Sequence, residues 1–169
     1  INTHQKGDFS NILKLIDFNQ NIIPQSEVLF VLEILNILDN KFIEFREQNR
    51  QEEITVDNIF SLIKQHEKYS NYYSSSLSAE IDFVSSHFFE LCESKKDDLA
   101  NVSIETLIKI ISNDKLQLDS EDQLLNFIND LYLNDSNYCI LYEYVYFINV
   151  KSQAISQFLD ICDMNDFTA

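Results

Sequence analysis

The residues best suited to chemistry are few in this chain, and their spacing does not bring them together. There are three histidines, His4, His66 and His87, and none stands in the HExxH pattern by which two histidines on one helix face bind zinc. His66 is followed by Glu67, and His87 is adjacent to a pair of phenylalanines. We therefore expect each histidine to have a structural or surface role.

The three cysteines, Cys92, Cys139 and Cys162, are an odd number and form no CxxC pair. A catalytic cysteine needs a thiolate that a histidine or a helix N-terminus activates. Cys92 and Cys139 instead fall on apolar faces of predicted helices. We interpret the cysteines as small buried hydrophobic residues in a reducing compartment.

Clustered carboxylates are the next candidates, and the densest useful cluster consists of Asp119, Glu121 and Asp122. These residues lie at the predicted N-terminus of a helix. Acidic side chains there stabilise the positive end of the helix dipole by about 0.3–1 kcal/mol each. Helix capping therefore explains this cluster without a catalytic role.

A second acidic group, Asp160, Asp163 and Asp166, has an i, i+3 spacing that resembles calcium ligands. Calcium loops of the EF-hand type need a glycine for their sharp turn, and the sole glycine of the chain is Gly7. The same shortage excludes a Gly-rich phosphate-binding loop. The sequence thus predicts a solvated acidic tail, with no catalytic residue, no cofactor and no metal site.

The charge of the chain weighs against nucleic-acid and membrane partners. Across 169 residues there are 28 acidic side chains and 12 lysines and arginines, which gives a formal net charge of −16. Phosphate binding requires clustered basic residues, and anionic membrane surfaces attract the same clusters. We expect proteins as partners, although acidity also serves solubility and does not by itself require a basic partner.

The scarcity of turn-forming residues predicts an all-α fold. The chain has one glycine and one proline, whereas sandwiches, barrels and doubly wound sheets need many turns marked by these residues. Apolar residues at helical spacing indicate about eight helices, arranged as stacked antiparallel hairpins.

Three of the predicted helices have informative patterns. The helix from Ser26 to Leu38 is apolar around most of its circumference, so we expect it to be buried on nearly all sides. A later helix begins with a capping box, in which Ser120 and Gln123 would each satisfy a backbone N–H. Apolar spacing over residues 140–147 predicts another helix.

Aromatic residues are unusually frequent, with 8 tyrosines and 13 phenylalanines. Tyr72 and Tyr73 stand in a polar, Ser-rich segment, and Tyr142 and Tyr146 alternate with polar and apolar neighbours. Tyrosine is enriched at protein interfaces, so the exposed members of these clusters are predicted partner-binding residues. A bias toward AT-rich codons is the alternative explanation.

From Ile54 onward, the order of motifs resembles a BACK domain, the helical domain that follows BTB in many adaptor proteins. The similar pieces are ITVDNIFSLIKQHE, IDFVSSHFFELCES, NDKLQLDSEDQLLNFI and LYEYVYFINVKSQAI. Two positions depart from the family pattern. Tyr146 stands where many BACK domains have an arginine, and Tyr132 stands where a tryptophan often ends the helix.

Residues 8–45 are similar to the C-terminal helices of a BTB domain, and the Asn- and Ile-rich composition resembles BTB–BACK proteins of divergent protists. The resemblance implies two domains. Residues 1–46 would be the C-terminal helical part of a BTB-like domain, and residues 47–169 a BACK-like domain. The charged stretch REQNRQEE, residues 46–53, would mark the boundary.

The resemblance implies a cytoplasmic, non-catalytic protein-interaction module, an adaptor that links a cullin-RING ubiquitin ligase to a substrate-binding domain. Adaptors of this family contact the cullin through BTB and the helical hairpin that follows it, which implies Phe42, Ile43 and Phe45 as contacts here. The alternative is a structural spacer or a self-associating module in a cytoskeletal or repeat-containing assembly, without a ubiquitin role.

Overall fold

The computed structural model describes residues 3–17, 22–39, 46–47, 53–69 and 77–167. The chain divides into two compact units, Ile1–Leu77 (unit 1) and Ser78–Ala169 (unit 2). The all-α class is confirmed, since the described residues contain nine α-helices and one two-residue strand pair. The division between the units follows the Ser-rich segment, whereas the predicted domain boundary lay in the charged stretch at residue 46.

The described residues of unit 1 form three α-helices, a short 3₁₀ turn and two strands of two residues each. In chain order they are α1 (Phe9–Ile16), β1 (Ile22–Ile23), the 3₁₀ turn (Gln25–Glu27), α2 (Val28–Ile37), β2 (Arg46–Glu47) and α3 (Ile59–Lys68). The two strands pair in parallel, with Ile22 opposite Arg46. Helix α1 is capped by Asp8, whose side chain accepts a hydrogen bond of 2.9 Å from the N–H of Ser10.

The N-terminal segment is fixed to α2 by carboxylates. Glu33 accepts hydrogen bonds of 2.8 and 3.0 Å from the N–H groups of His4 and Gln5, and these bonds lower the pKa of Glu33. Gly7 passes so close to α2 that a Cβ atom there would lie 2.3 Å from Cδ1 of Phe30. The single glycine of the chain is therefore explained by close backbone packing.

Helix α2 supplies most of the core of unit 1, but one of its sides is open. Its buried residues are Val28, Phe30, Val31, Leu32, Ile34 and Leu35. Leu29 and Ile37 are exposed, as is Leu38 directly after the helix. The predicted burial on nearly all sides is not reached within the described residues, because the core residues of α1 and β1 cover only part of the circumference.

Unit 2 contains six α-helices with three 3₁₀ segments near its C-terminal end. The helices are α4 (Ser78–Ser86), α5 (Phe88–Ser94), α6 (Lys96–Ala100), α7 (Ile104–Ile111), α8 (Glu121–Asn134) and α9 (Ser152–Ile161). The 3₁₀ segments are Ser136–Tyr144, Phe147–Asn149 and Met164–Phe167. None of the helices among the described residues of either unit combines the length and apolarity that a membrane crossing requires.

Hydrogen bonds join α4 to α7 and to the loop that follows it. The buried Ser85 hydroxyl donates to the carbonyl of Ile110 over 2.9 Å, and the N–H of Gln117 donates to the carbonyl of Ser85 over 2.9 Å. Further along, the rings of Phe88 and Phe127 meet edge to face, with centroids 5.6 Å apart. These contacts attach α4 to α7 and to the loop before α8, and they attach α5 to α8.

The helix predicted over residues 140–147 is instead a 3₁₀ helix over Ser136–Tyr144. It starts one residue after α8, and Asp135 caps it by accepting a hydrogen bond of 2.9 Å from the N–H of Asn137. A 3₁₀ helix has 3.0 residues per turn and an α-helix 3.6. Apolar spacing over so few residues does not separate the two periods, which is why the sequence prediction was wrong here.

We predict that Leu107→Ala lowers the free energy of unfolding by about 2–5 kcal/mol, because Leu107 is fully buried and its truncation leaves a cavity. Leu133→Ala is the matched control, since Leu133 is 64% exposed, and it should change the free energy by less than about 0.5 kcal/mol. Urea unfolding followed by circular dichroism measures both. Equal losses would contradict the packing described for unit 2.

Candidate interaction surface

A buried hydrogen bond positions the C-terminal part of unit 2. The hydroxyl of Tyr142 donates to Oδ1 of Asn129 over 2.8 Å, and both residues are buried. Asn129 lies on α8, and Tyr142 lies in the 3₁₀ segment that packs against that helix. Burial raises the pKa of Tyr142, so its hydroxyl keeps its proton and acts as the donor.

An aromatic cluster surrounds this bond. The ring of Tyr142 meets Phe158 of α9 edge to face at 4.9 Å and Tyr132 of α8 at 5.8 Å. Phe147 stands 5.1 Å from Phe158 in a tilted arrangement. Because aromatic pairs add to the stability gained from burial, this cluster joins α8, α9 and both intervening 3₁₀ segments.

Tyr132 also holds the last 3₁₀ turn. Its hydroxyl donates to Oδ2 of Asp166 over 2.5 Å and accepts from the N–H of Asp163 over 3.0 Å. The hydrogen bond to Asp166 raises the pKa of Tyr132. The prediction of a solvated acidic tail is therefore wrong for Asp166, because its carboxylate accepts a hydrogen bond from the hydroxyl of Tyr132.

Beside this cluster, an open groove with a volume of about 610 Å³ runs along the 3₁₀ segment and α9. We call it the Phe158 groove. It is lined by Cys139, Ile140, Tyr142, Glu143, Phe147, Phe158 and Asp166. Its lining is mainly apolar and aromatic, and the two charged side chains in it are both acidic.

A second pocket, of about 650 Å³, is lined in part by the end of the same 3₁₀ segment. We call it the Glu121 pocket. Its lining includes three acidic residues, Asp114, Glu121 and Glu143, together with Tyr144 and Tyr146. Glu143 lines both this pocket and the Phe158 groove, so the two cavities are neighbours on one surface.

The acidic cluster at the start of α8 has a role that the sequence did not reveal. Glu121 accepts a hydrogen bond of 3.2 Å from the N–H of Tyr146, and Asp122 accepts one of 2.8 Å from the N–H of Lys151. Asp122 also forms an ion pair of 3.1 Å with the ammonium of Lys151. The cluster therefore attaches the segment before α9 to α8, in addition to any effect on the helix dipole.

The predicted capping box forms only in part. Ser120 occupies the N-cap position of α8, but its side chain makes no capping hydrogen bond. The side chain of Gln123 does reach back, and it accepts a hydrogen bond of 3.2 Å from the N–H of Asp119. The neighbouring acids bind the 146–151 segment, so the start of α8 is held by tertiary contacts more than by its own cap.

The residues that could be nucleophiles are in environments that oppose this role. Burial raises the pKa of Cys92 to about 12 and also raises the pKa of Cys162, whereas a nucleophilic thiol needs a lowered pKa. His87 stacks on Phe83 at 4.2 Å, with Nδ1 2.9 Å from the carbonyl oxygen of Phe83. Within the described part of the chain, no three His, Cys, Asp or Glu residues could together hold a metal ion.

The predicted partner-binding residues fall into three groups. Phe42, Ile43, Phe45, Tyr72 and Tyr73 lie outside the described residues. Tyr142 is 4% exposed, which leaves little of its ring for a partner, and Tyr146 is 70% exposed at the Glu121 pocket. Contact of Tyr146 with a partner remains a prediction.

Sequence reasoning missed several exposed apolar residues near these cavities. They are Ile140, Ile148 and Leu159, and Ile148 is 93% exposed. Ile140 belongs to the helix predicted over residues 140–147, and in the 3₁₀ helix that forms instead it is 44% exposed. One feature of the sequence could have predicted exposed apolar residues here. The run from Tyr144 to Ile148 has no polar residue, and it is longer than one buried helix face accommodates.

Comparison with known proteins gave one result. Residues 70–158, just over half of the chain, match the family model described as BACK, "BTB And C-terminal Kelch". The match includes most of unit 2, with the 3₁₀ segment and most of α9. Neither the comparison with curated proteins nor the comparison with solved structures produced a match.

We predict that Tyr142→Phe lowers the free energy of unfolding by about 1–3 kcal/mol, because Oδ1 of Asn129 loses its buried donor. Tyr146→Phe removes the same hydroxyl from an exposed ring and should change the free energy by less than about 0.5 kcal/mol. Urea unfolding of both variants makes the comparison. If Tyr142→Phe leaves the free energy of unfolding unchanged, the Tyr142–Asn129 hydrogen bond does not determine how the 3₁₀ segment packs on α8.

We also predict a pH-dependent effect at Asp122. The N–H of Lys151 lowers the pKa of this carboxyl below its unfolded value of about 3.9. The contact therefore stabilises the folded state above about pH 4 and is lost as the pH falls through the folded-state pKa. Asp122→Ala should lower the urea midpoint at pH 7, and the difference from the wild type should shrink below about pH 4.

Asp122→Asn is the control for this experiment, because an asparagine oxygen still accepts from the N–H of Lys151. It should lower the midpoint less than Asp122→Ala does at pH 7. A difference between Asp122→Ala and the wild type that stays constant across the acid range would contradict a contribution from the ionised carboxylate.

Proposed function

Because the chain belongs to the BACK family, we propose that it is part of a cytoplasmic adaptor that links a cullin-RING ubiquitin ligase to a substrate-binding domain. The BACK domain is a non-catalytic protein-interaction module of BTB proteins. The observation that carries the proposal is the family match over residues 70–158, most of which fold as unit 2. In this role, unit 2 sets the distance between the cullin and the substrate.

The internal contacts of unit 2 support the role of a spacer. A spacer of defined length needs helices that keep fixed positions relative to one another. Four kinds of contact fix the helices and 3₁₀ segments of unit 2. They are the Tyr142–Asn129 hydrogen bond, the aromatic cluster, the Asp122–Lys151 pair and the hydrogen bonds of Ser85 and Tyr132. The bonds of Tyr142 and Ser85 are buried, and satisfied buried polar pairs favour one arrangement over others because leaving them unpaired costs free energy.

The cullin contact is proposed for unit 1. Phe42, Ile43 and Phe45 are the candidate residues, on the basis of their resemblance to the hairpin that follows BTB. Aromatic residues of this kind often carry most of the binding free energy at an interface.

A self-associating structural module is the second candidate, and an observation on α1 favours it. Phe9, Leu13 and Ile16 are all exposed and have the i, i+4, i+7 spacing of one helix face. An exposed apolar stripe is typical of a surface that binds another protein. Sedimentation velocity of the chain and of Leu13→Glu tests this candidate, which requires an oligomer that the substitution dissociates.

We predict that the tagged chain captures a cullin from a lysate of its own source, and that the double variant Phe42→Ser and Phe45→Ser reduces capture at least about tenfold. Phe89→Ser is the matched control, because it removes a partly exposed phenylalanine from unit 2, and it should capture as much cullin as the wild type. Quantitative mass spectrometry of the bound fraction measures both.

Absence of cullin from the bound fraction of the wild type would contradict the ligase role. Equal capture by the wild type and the double variant would reject Phe42 and Phe45 as contacts. Recovery of only further copies of the chain, with loss of those copies in Leu13→Glu, would favour the self-associating module.

A further inference from the structure

The Phe158 groove is an apolar surface that the fold leaves open. Its walls are the aromatic rings of Tyr142, Phe147 and Phe158, and Ile140 at its edge is 44% exposed. A concave, mainly apolar surface with a few charged groups at its edge is typical of a site where another molecule binds. The hydrogen bond of Tyr142 to Asn129 and the ring contact with Phe158 fix these walls before any partner arrives.

The charges around the groove have one sign. Glu143 and Asp166 line it, and Asp160 and Asp163 precede Asp166 in the chain. Between residues 135 and 167 the sequence has five acidic side chains and a single basic one, Lys151. Lys151 is paired with Asp122. An occupant that buries apolar surface here therefore gains further stabilisation if it carries positive charge.

We propose that the Phe158 groove binds a segment of a partner protein with an apolar face flanked by lysine or arginine. This proposal rests on the proposed function, since it names the chemistry of one partner of the adaptor. The apolar side chains of the segment contact Ile140 and Phe158, and its cation faces Glu143. If a second copy of this chain bound groove to groove, Glu143 and Asp166 of the two copies would face each other, so a basic segment is the better-matched occupant of this groove.

The neighbouring Glu121 pocket extends the site for a cation. It shares Glu143 with the groove and adds Glu121 and Asp114, with the rings of Tyr144 and Tyr146 beside them. Aromatic faces attract ammonium and guanidinium groups, and arginine more often than lysine makes this contact. A basic side chain that leaves the groove past Glu143 therefore enters a pocket that has both carboxylates and aromatic rings.

The probe for this proposal is a fluorescein-labelled amphipathic peptide of leucine, alanine and lysine, and its counterpart in which every lysine is glutamate. Fluorescence anisotropy with the full chain measures the affinity for each. We expect the lysine peptide to bind, its affinity to fall with added salt, and the glutamate peptide not to bind. Equal affinity for both peptides would overturn the charge complementarity on which the proposal depends.

Substitutions then locate the binding site. Ile140→Ser should weaken binding of the lysine peptide about tenfold, and Glu143→Lys at least about threefold. The matched controls are Leu133→Ser and Glu105→Lys, which alter exposed residues that do not line either cavity. Circular dichroism verifies that each variant is folded, and equal loss in the controls would overturn the assignment to the groove.

Failure of this proposal is distinguishable from failure of the proposed function. If the wild type captures a cullin but does not bind the lysine peptide, the adaptor role stands and the groove proposal is wrong. If the peptide binds and Ile140→Ser weakens it while no cullin is captured, the groove proposal stands alone. Sedimentation velocity tests whether a second copy of the chain occupies the groove. An oligomer that Ile140→Ser dissociates would assign the groove to a second copy and overturn the proposal.

Discussion

The hydrogen bond from Tyr142 to Asn129 is the interaction on which the C-terminal half of unit 2 depends. A buried asparagine oxygen without a donor is costly, so the 3₁₀ segment must place this tyrosine hydroxyl against α8. Once the ring of Tyr142 is fixed, Phe158 and Tyr132 pack against it and position α9 and the last turn. One polar contact thus determines the placement of several apolar ones.

This arrangement uses the polar groups of unit 2 for structure. Tyr132 binds Asp166, Asp122 binds Lys151, and the pKa of Cys92 is raised by burial. Their pKa shifts arise from burial and from contacts within the fold, and the shift of Cys92 is opposite to the one that makes a thiol nucleophilic. What unit 2 offers a partner is a surface of fixed shape, and a preformed surface binds with a smaller loss of conformational entropy. That property suits an interaction module of the BACK family.

The sequence predicted the parts of this fold that depend on local periodicity. The helix predicted to begin at Ser120 is confirmed as α8, because a helix start marked by local residues needs no distant partner. Ser120 lies at its predicted N-cap position but does not cap, because neighbouring acids contact residues more than twenty positions further along. The 3₁₀ segment was missed for another reason. It is stabilised by the burial of Leu141 and Tyr142 against α8, which spacing within the segment does not encode.

The acidic side chains of unit 2 show that the position of a carboxylate matters as well as the number of carboxylates. Counting charges gives −16 and weighs against some classes of partner, but it treats all carboxylates alike. In unit 2, Asp122 and Asp166 are engaged in tertiary contacts and contribute to the fold. Glu143 is exposed and lines two cavities, where its charge acts on whatever binds there. The choice of partner therefore depends on which exposed acidic side chains lie next to apolar surface.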